Sequence, residues 1–356
     1  MSHFVRAAAL SHFFEVARDC GINPQPLLRQ AGLSRALLQD PDQRIPAASA
    51  VKLLELAAQA SGDPQFGLRM AQMREVSDFG VVSLVISHQP TLRDALQATI
   101  SYIHLINESL ALQMEDSGAM VIVREELVRH ANARQANELA IGVLFRLCTA
   151  VLGGSWRPYS VNFTHARPAD TSLHQRVFGC LLEFDSEFNG LVCRAKDLDA
   201  LNPLAAPALA RYAQRYVDSL PGSGEASVVQ EVRKAIYLML AGGLATSDYV
   251  AQSLGLSVRT MQRQLDEADA SFTGLLTEVR RELVQRYLEN PRHSLVRISQ
   301  MLGYGSPSAF TRWFVTQFGL PPQRWRQDRR PPRSPQATPS DPTPPARAQS
   351  RKPRLR

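Results

Sequence analysis

The chain repeats itself, and the repeated segment allows few folds. VAQSLGL at 250–256 and ISQMLGY at 298–304 match in residue type at nearly every position, 48 residues apart. Each gives an apolar residue, a small one (Ala251, Ser299), then leucine and a glycine four places on (Gly255, Gly303). The small residue lets two helices approach, and the glycine accepts the positive φ of a tight turn between them. Each copy therefore predicts a helix-turn-helix, and the duplication predicts two in one domain.

The residues after each turn have the pattern of a recognition helix. In SVRTMQRQL, Ser257 is a candidate cap and Val258, Met261 and Leu265 form one apolar stripe. Arg259, Gln262 and Arg263 are left on the other side. In SPSAFTRWF, Ser306 is the cap, Pro307 occupies the first turn where its missing N–H costs nothing, and Phe310 and Phe314 face the core. Ser308, Thr311 and Arg312 then face outward. Arginine pairs with guanine, glutamine with adenine, and threonine meets the thymine methyl, so both faces suit a major groove. Solvated arginine is the commoner situation on a helix surface, but the repeated frame favours DNA reading at Arg263 and Arg312.

Between the two units, residues 272–290 read as one helix, roughly 28 Å long at about 1.5 Å per residue. Such a rod could hold two recognition helices in successive major-groove segments, about 34 Å apart on one face of a duplex. Gly319 is the expected C-cap of the second unit, prolines 321 and 322 its stops, and Trp325 an anchor that folds back on the core.

The net charge of +7 needs care, because it is unevenly distributed. Residues 1–246 hold 22 Lys or Arg against 24 Asp or Glu, residues 247–328 hold 10 against 8, and residues 329–356 hold 8 against 1. The excess is therefore a property of the last stretch, which has eight prolines, no aromatic residue and one leucine. It is expected to be a disordered basic tail. A second break in composition, PGSGEAS at 221–227, is the expected linker.

Ahead of the linker, helical and strand patterns mix. Leu53, Leu54, Leu56, Ala57 and Ala60 form one helical stripe; Leu92, Ala95, Leu96, Thr99, Ile100 and Ile103 form another, with Thr91 as its cap. SLALQM and AMVIVR, on either side of Glu115-Asp116-Ser117-Gly118, predict a hairpin, and LLEFD with GLVCR predicts a second. SVNFTHA (160–166) predicts a further strand, and 202–220 a single helix. The fold class is an α+β N-terminal domain over 1–220 followed by an all-α domain over 228–328 with two helix-turn-helix units.

The segments SVRTMQRQL, LLTEVRRELVQRYL, ISQMLGYGSPSAFTRWF and GLPPQRWR, within about residues 230–326, resemble the AraC/XylS-type transcriptional regulators. The resemblance implies promoter binding, with contact positions at Arg259, Gln262 and Arg263 and at Ser308, Thr311 and Arg312. The basic extension after Arg326 departs from the family pattern. DPQFGLRMA, DFGVVSLVISHQPTLRDAL and FDSEFNGLVCRAKDLDALNP are similar to the arabinose-binding-type domain that precedes this DNA-binding domain in many regulators. That likeness implies a small-molecule effector without fixing its identity.

Tyr102, His104, Asn107 and Glu108 in ISYIHLINESLAL, with Arg129 and His130 beyond the first hairpin, are the candidates to orient a polar effector. A hydrogen-bonded structural role is the commoner fate of such residues. Four cysteines (Cys20, Cys148, Cys180, Cys193) without a CxxC pair or a histidine at ligand spacing predict reduced thiols and no metal. There is no HExxH, GxSxG, P-loop or Rossmann glycine pattern, so no cofactor is expected. An enzyme fused to a DNA-binding module and a DNA-binding protein whose first domain grips another protein are the rival readings. At 44% apolar and 21% charged residues, evenly spread, the chain shows no membrane span. Arg6, His12, Glu15 and Arg18 interrupt any leader-like stretch, which predicts a cytoplasmic protein. The expected partners are double-stranded promoter DNA, an effector, a second copy of the chain through the first domain and the helix at 202–220, and RNA polymerase.

Overall fold

The computed structural model describes residues 3–130, 133–220, 227–290 and 292–328. The expected linker falls outside these except for Ser227, and the expected tail, 329–356, lies wholly outside them.

Strands β1 (Phe4–Arg6) and β2 (Arg44–Pro46) pair antiparallel, and α1 (Phe13–Asp19) and α2 (Pro24–Ala31) lie between them in the chain. Four helices come next: α3 (Ala47–Ser61), α4 (Phe66–Met73), α5 (Val82–Ser87) and α6 (Leu92–Ile106). The α6 N-terminus is capped as expected, Thr91 Oγ1 accepting from the Asp94 N–H at 3.1 Å.

The main sheet begins with β3 (Leu110–Ser117) and β4 (Met120–Leu127), an antiparallel hairpin. Its pairing runs to Ser117 opposite Met120, so Glu115 to Ser117 belong to the strand and the loop is only Gly118 and Ala119. After α7 (Arg134–Leu152) come β5 (Ser160–Asn162), α8 (Ser172–Phe178), β6 (Leu181–Glu183) and β7 (Asn189–Arg194). The strand order is β3-β4-β7-β5-β6.

The structure corrects two expectations from the sequence. β6 and β7 do not form a hairpin, because β5 lies between them, parallel to β6 and antiparallel to β7. The helix expected from 202 is delayed: after α9 (Ala195–Leu198), α10 spans only Pro207–Asp218. The Asn202 side chain donates to the carbonyls of Ser87 and Gln89, tying its segment to the end of α5, and Pro207 then starts the helix in its first turn.

Helix α7 is long and apolar enough to cross a membrane, with mean hydropathy 1.3, yet 67% of that stretch is buried inside the protein. It reads as a core helix, packed closely on α4 through Gly67 and Gly142: a Cβ at Gly67 would sit 2.0 Å from the Gln135 carbonyl oxygen.

The remainder is helical: α11 (Val228–Leu240), α12 (Ser247–Ser253), α13 (Val258–Glu267), α14 (Phe272–Glu289), α15 (Leu295–Met301), α16 (Pro307–Phe318) and α17 (Pro322–Asp328). Their core is built on Val232, Ile236, Met261, Val279, Ile298, Phe310 and Phe314, all within 1% of full burial. The β3–β4 hairpin and the residue that follows it feed two cores. Val121, Val123 and Leu127 enter the first, while Ala111 of the neighbouring β3 and Val128 just beyond β4 pack with α11 in the second.

Candidate functional site

Each turn of the two helix-turn-helix units is closed by the glycine expected there, Gly255 at φ 67° and Gly303 at φ 69°. The small residues beneath them, Ala251 and Ser299, are 1% exposed, which is how the paired helices approach. Ser257 accepts from the Thr260 N–H at 3.1 Å and Ser306 from the Ala309 N–H at 3.2 Å, so the two recognition helices start on matched caps. On α13, Met261 and Leu265 are buried and Val258 is half-buried. On α16, Phe310 and Phe314 are buried, Gly319 ends the helix at φ 76°, and Trp325 packs edge-on to Phe314.

That packing fixes what faces out. Arg259, Gln262, Arg263, Ser308, Thr311 and Arg312 are all exposed. Arg259 and Arg312 meet no acidic partner at ion-pair distance among the described residues, and Arg263 only approaches Glu267 at 3.8 Å on its own helix. The guanidinium groups are thus available to an outside acceptor. Thr311 differs: its hydroxyl donates to the Pro307 carbonyl at 2.9 Å, which leaves its methyl and a lone pair for a partner. Helix α14, 18 residues and roughly 27 Å long, joins the two units as the sequence predicts.

A second site lies within the first domain. A cavity of about 110 Å³ is enclosed by β1, α3, α6, α7 and the β3–β4 hairpin, lined mainly by Ala50, Leu54, Ile103, Leu112, Leu127 and Leu144. Its polar lining falls in two groups. Arg6, Arg74 and Asp78 are already engaged with one another's neighbourhood: Arg6 bonds Asp42 and the Asp78 carbonyl, and Arg74 donates to the Ala8 carbonyl and ion-pairs with Asp78, its Nε–H having no hydrogen-bond acceptor among the described residues. Glu125, by contrast, is 3% exposed and has no hydrogen-bond partner among the described residues. Burial, and then the charge of Glu126, push its carboxyl up to about 8, so it is largely protonated at neutral pH. Ser109 also lines the cavity, fully buried, its hydroxyl without a hydrogen-bond partner among the described residues.

Of the sequence candidates for effector contact, Asn107 lines this cavity. Its side-chain oxygen accepts from the Ser109 N–H at 2.9 Å. Tyr102 instead donates to Asp218 at 2.7 Å and ties α6 to α10. His104 lies half-buried with its pKa lowered by burial and then by Lys234, and Glu108 pairs with Arg44 at 2.7 Å. Arg129 is at the contact with the helical domain, where its N–H donates to the Tyr237 hydroxyl at 3.3 Å. Neighbouring His130 is half-buried, with its pKa lowered by burial. Glu125 and Ser109 were not legible as candidates. The available signal is the alternation of VIVREELV, in which Glu125 falls on the same strand face as Val121, Val123 and Leu127.

The cysteines offer no activated nucleophile. Cys148 and Cys193 are buried and Cys20 and Cys180 half-buried; burial raises all four thiols, Cys193 to about 12.

Residues 21–201 match the family described as the arabinose-binding domain of AraC transcription regulators, N-terminal, and residues 250–328 match a helix-turn-helix domain family. The chain belongs to the AraC-type transcriptional regulators with an arabinose-binding-type N-terminal domain, and is a regulator rather than an enzyme. It is 25% identical over 330 residues to the HTH-type transcriptional regulator VirS of Mycobacterium tuberculosis, covering 92% of this chain and 97% of that one. It is 23% identical to the ornithine utilization regulator of Pseudomonas aeruginosa over the same shares of the two chains. The crystal structure of the transcriptional regulator CdpR from Pseudomonas aeruginosa aligns at TM-score 0.42 and 17% identity, over 85% of this chain and 96% of that one.

Proposed function

We propose that this regulator, acting in the cytoplasm, reads promoter DNA with both helix-turn-helix units under control of a small metabolite held in the cavity of residues 1–220. Arg259, Gln262 and Arg263 serve one stretch of major groove, and Ser308, Thr311 and Arg312 the next. The observation that carries the reading is the matched pair of serine-capped helices whose outward side chains are exposed together. Residues 221–227 separate the two functions in the chain, and 228–328 form the reading unit.

Assembly as a homodimer through α10 completes the reading, with RNA polymerase as the partner on the promoter. Leu209, Tyr212 and Tyr216 on α10 are 43%, 67% and 55% exposed and recur at helical spacing, a stripe that suits a second copy of the same helix. Selection from random double-stranded DNA should return a site with two conserved blocks about one helical turn apart per chain. A single block would restrict reading to one unit. Sedimentation of Tyr212→Glu should give monomer where the natural chain gives dimer; monomer for both would remove the assembly.

A further inference from the structure

We propose that the effector cavity takes a short aliphatic ammonium, with the hydrocarbon against the leucine and alanine walls and the charged head on the Glu125 carboxylate. This rests on the reading of the cavity as the effector site and names the chemistry of its ligand.

Three observations converge. First, the cavity wall is aliphatic over most of its surface, and about 110 Å³ is close to the ~150 Å³ that accommodates benzene in an engineered apolar cavity, so about six heavy atoms fit within the walls. Second, Glu125 faces that space with no bonded partner among the described residues, and a buried carboxyl left in that state is expensive unless something arrives to meet it. Third, oxygens able to accept from an N–H also line the space. The Thr99 hydroxyl spends its proton on the Ala95 carbonyl at 2.8 Å, and the Asn107 oxygen retains a lone pair beyond its bond from Ser109. The Ser109 hydroxyl has no partner among the described residues.

A cationic head with several N–H donors can meet the Glu125 carboxylate and these oxygens together. The two lining arginines do not reverse this. Arg6 is held by Asp42 and the Asp78 carbonyl and Arg74 by its ion pair with Asp78 and its bond to the Ala8 carbonyl, although the Arg74 Nε–H has no hydrogen-bond acceptor among the described residues.

The binding step moves one proton. Free Glu125 carries it; when R–NH3⁺ docks, the Glu125 O–H bond breaks, the carboxylate pairs with the ammonium and the proton leaves to solvent. Near pH 7 the release should approach one proton per ligand and diminish above pH 8, where the carboxyl is already partly ionised.

Calorimetry of the full chain with n-pentylamine, 1-pentanol and pentanoate, in two buffers of different ionisation enthalpy, tests this. The expected result is saturable binding of pentylamine with proton release, at least tenfold weaker in Glu125→Gln, whose shape is unchanged. Equal affinity in the variant, or no proton release from the natural chain, overturns the ammonium assignment. Ala140→Leu, which narrows the cavity wall, separates the two layers of the argument. Saturable binding of pentanol or pentanoate that Ala140→Leu abolishes, without binding of pentylamine, keeps the cavity as the effector site and discards the ammonium. Absence of binding by all three discards the ammonium outright, and DNA affinity that no metabolite alters would discard the cavity reading itself.

Discussion

Glu126 on β4 and Arg286 on α14 form a two-pronged ion pair between the first domain and the rod that joins the helix-turn-helix units, at 3.0 and 3.2 Å. Both side chains are largely buried, 6% and 15% exposed. Burial opposes the arginine charge, yet the Glu126 carboxylate and Tyr287 raise its pKa overall. Removing one partner leaves a buried charge alone, so Arg286→Met should cost about 3 kcal/mol or more in urea unfolding. The double variant Arg286→Met with Glu126→Gln should recover part of that loss. Strictly additive costs would mean that the pair is not energetically coupled.

DNA reading separates from DNA anchoring in the response to single-base operator changes. Arg263→Ala should relax preference in one block of the site and Arg312→Ala in the other, each by roughly 1–3 kcal/mol of discrimination. Footprints and affinities on an operator variant set decide it. A uniform loss over every variant would reassign these arginines to the phosphate backbone.

The closeness of α4 and α7 makes Gly67 intolerant of any side chain. Gly67→Ala forces its Cβ into the Gln135 backbone and should destabilise the protein by about 3 kcal/mol or more. Gly154, whose added Cβ would meet nothing within 4 Å, is the control, and Gly154→Ala should leave the melting temperature nearly unchanged. Similar melting curves for the two variants would show that the helices separate at little cost.

Stability should fall with pH through Glu125. Its carboxyl stands at about 8 in the fold against 4.5 unperturbed, so the folded state holds a proton that the unfolded chain releases. The contribution is intact below about pH 4.5 and is lost as pH rises towards 8. Glu125→Gln, which cannot ionise, should gain on the natural chain by roughly 3 kcal/mol between pH 5 and pH 7.5. Glu138 acts with the opposite sign. Burial works against its charge, but His165 Nε2 and His174 Nε2, 3.1 and 3.3 Å from its carboxylate, bring it down to about 2, so its contribution is present above pH 4.5 and lost in acid. Parallel pH profiles for Glu125→Gln and the natural chain would contradict the first assignment.

The helical domain was legible because its information is local. A capping serine, a turn glycine and an apolar stripe lie within ten residues of one another, and Ser257, Gly255, Ser306 and Gly319 all act where the pattern put them. The sheet was harder, since nothing in LLEFD or GLVCR records that β5, about twenty residues before β6, will come between them. Whether Tyr102 turns towards a cavity or towards Asp218 likewise depends on α10, 116 positions away. Glu125 was concealed in VREEL by its company: two adjacent glutamates after an arginine look solvated, and only the burial of both faces of β4 shows otherwise.

The two-residue loop at Gly118 and Ala119 fixes which glutamate looks which way. With Ser117 held opposite Met120, Val121, Val123, Glu125 and Leu127 turn towards the first core and its cavity and Glu126 towards the helical domain. One residue inserted after Ala119, with the loop kept at two residues, would slide β4 by one position against β3 and exchange the faces of Glu125 and Glu126, turning the arginine's partner to the cavity side and the cavity's acid towards the rod. Two residues would restore the order. Length variation at this tip is therefore governed by parity, and the turn of one hairpin determines which of two adjacent acids faces the cavity and which faces the rod.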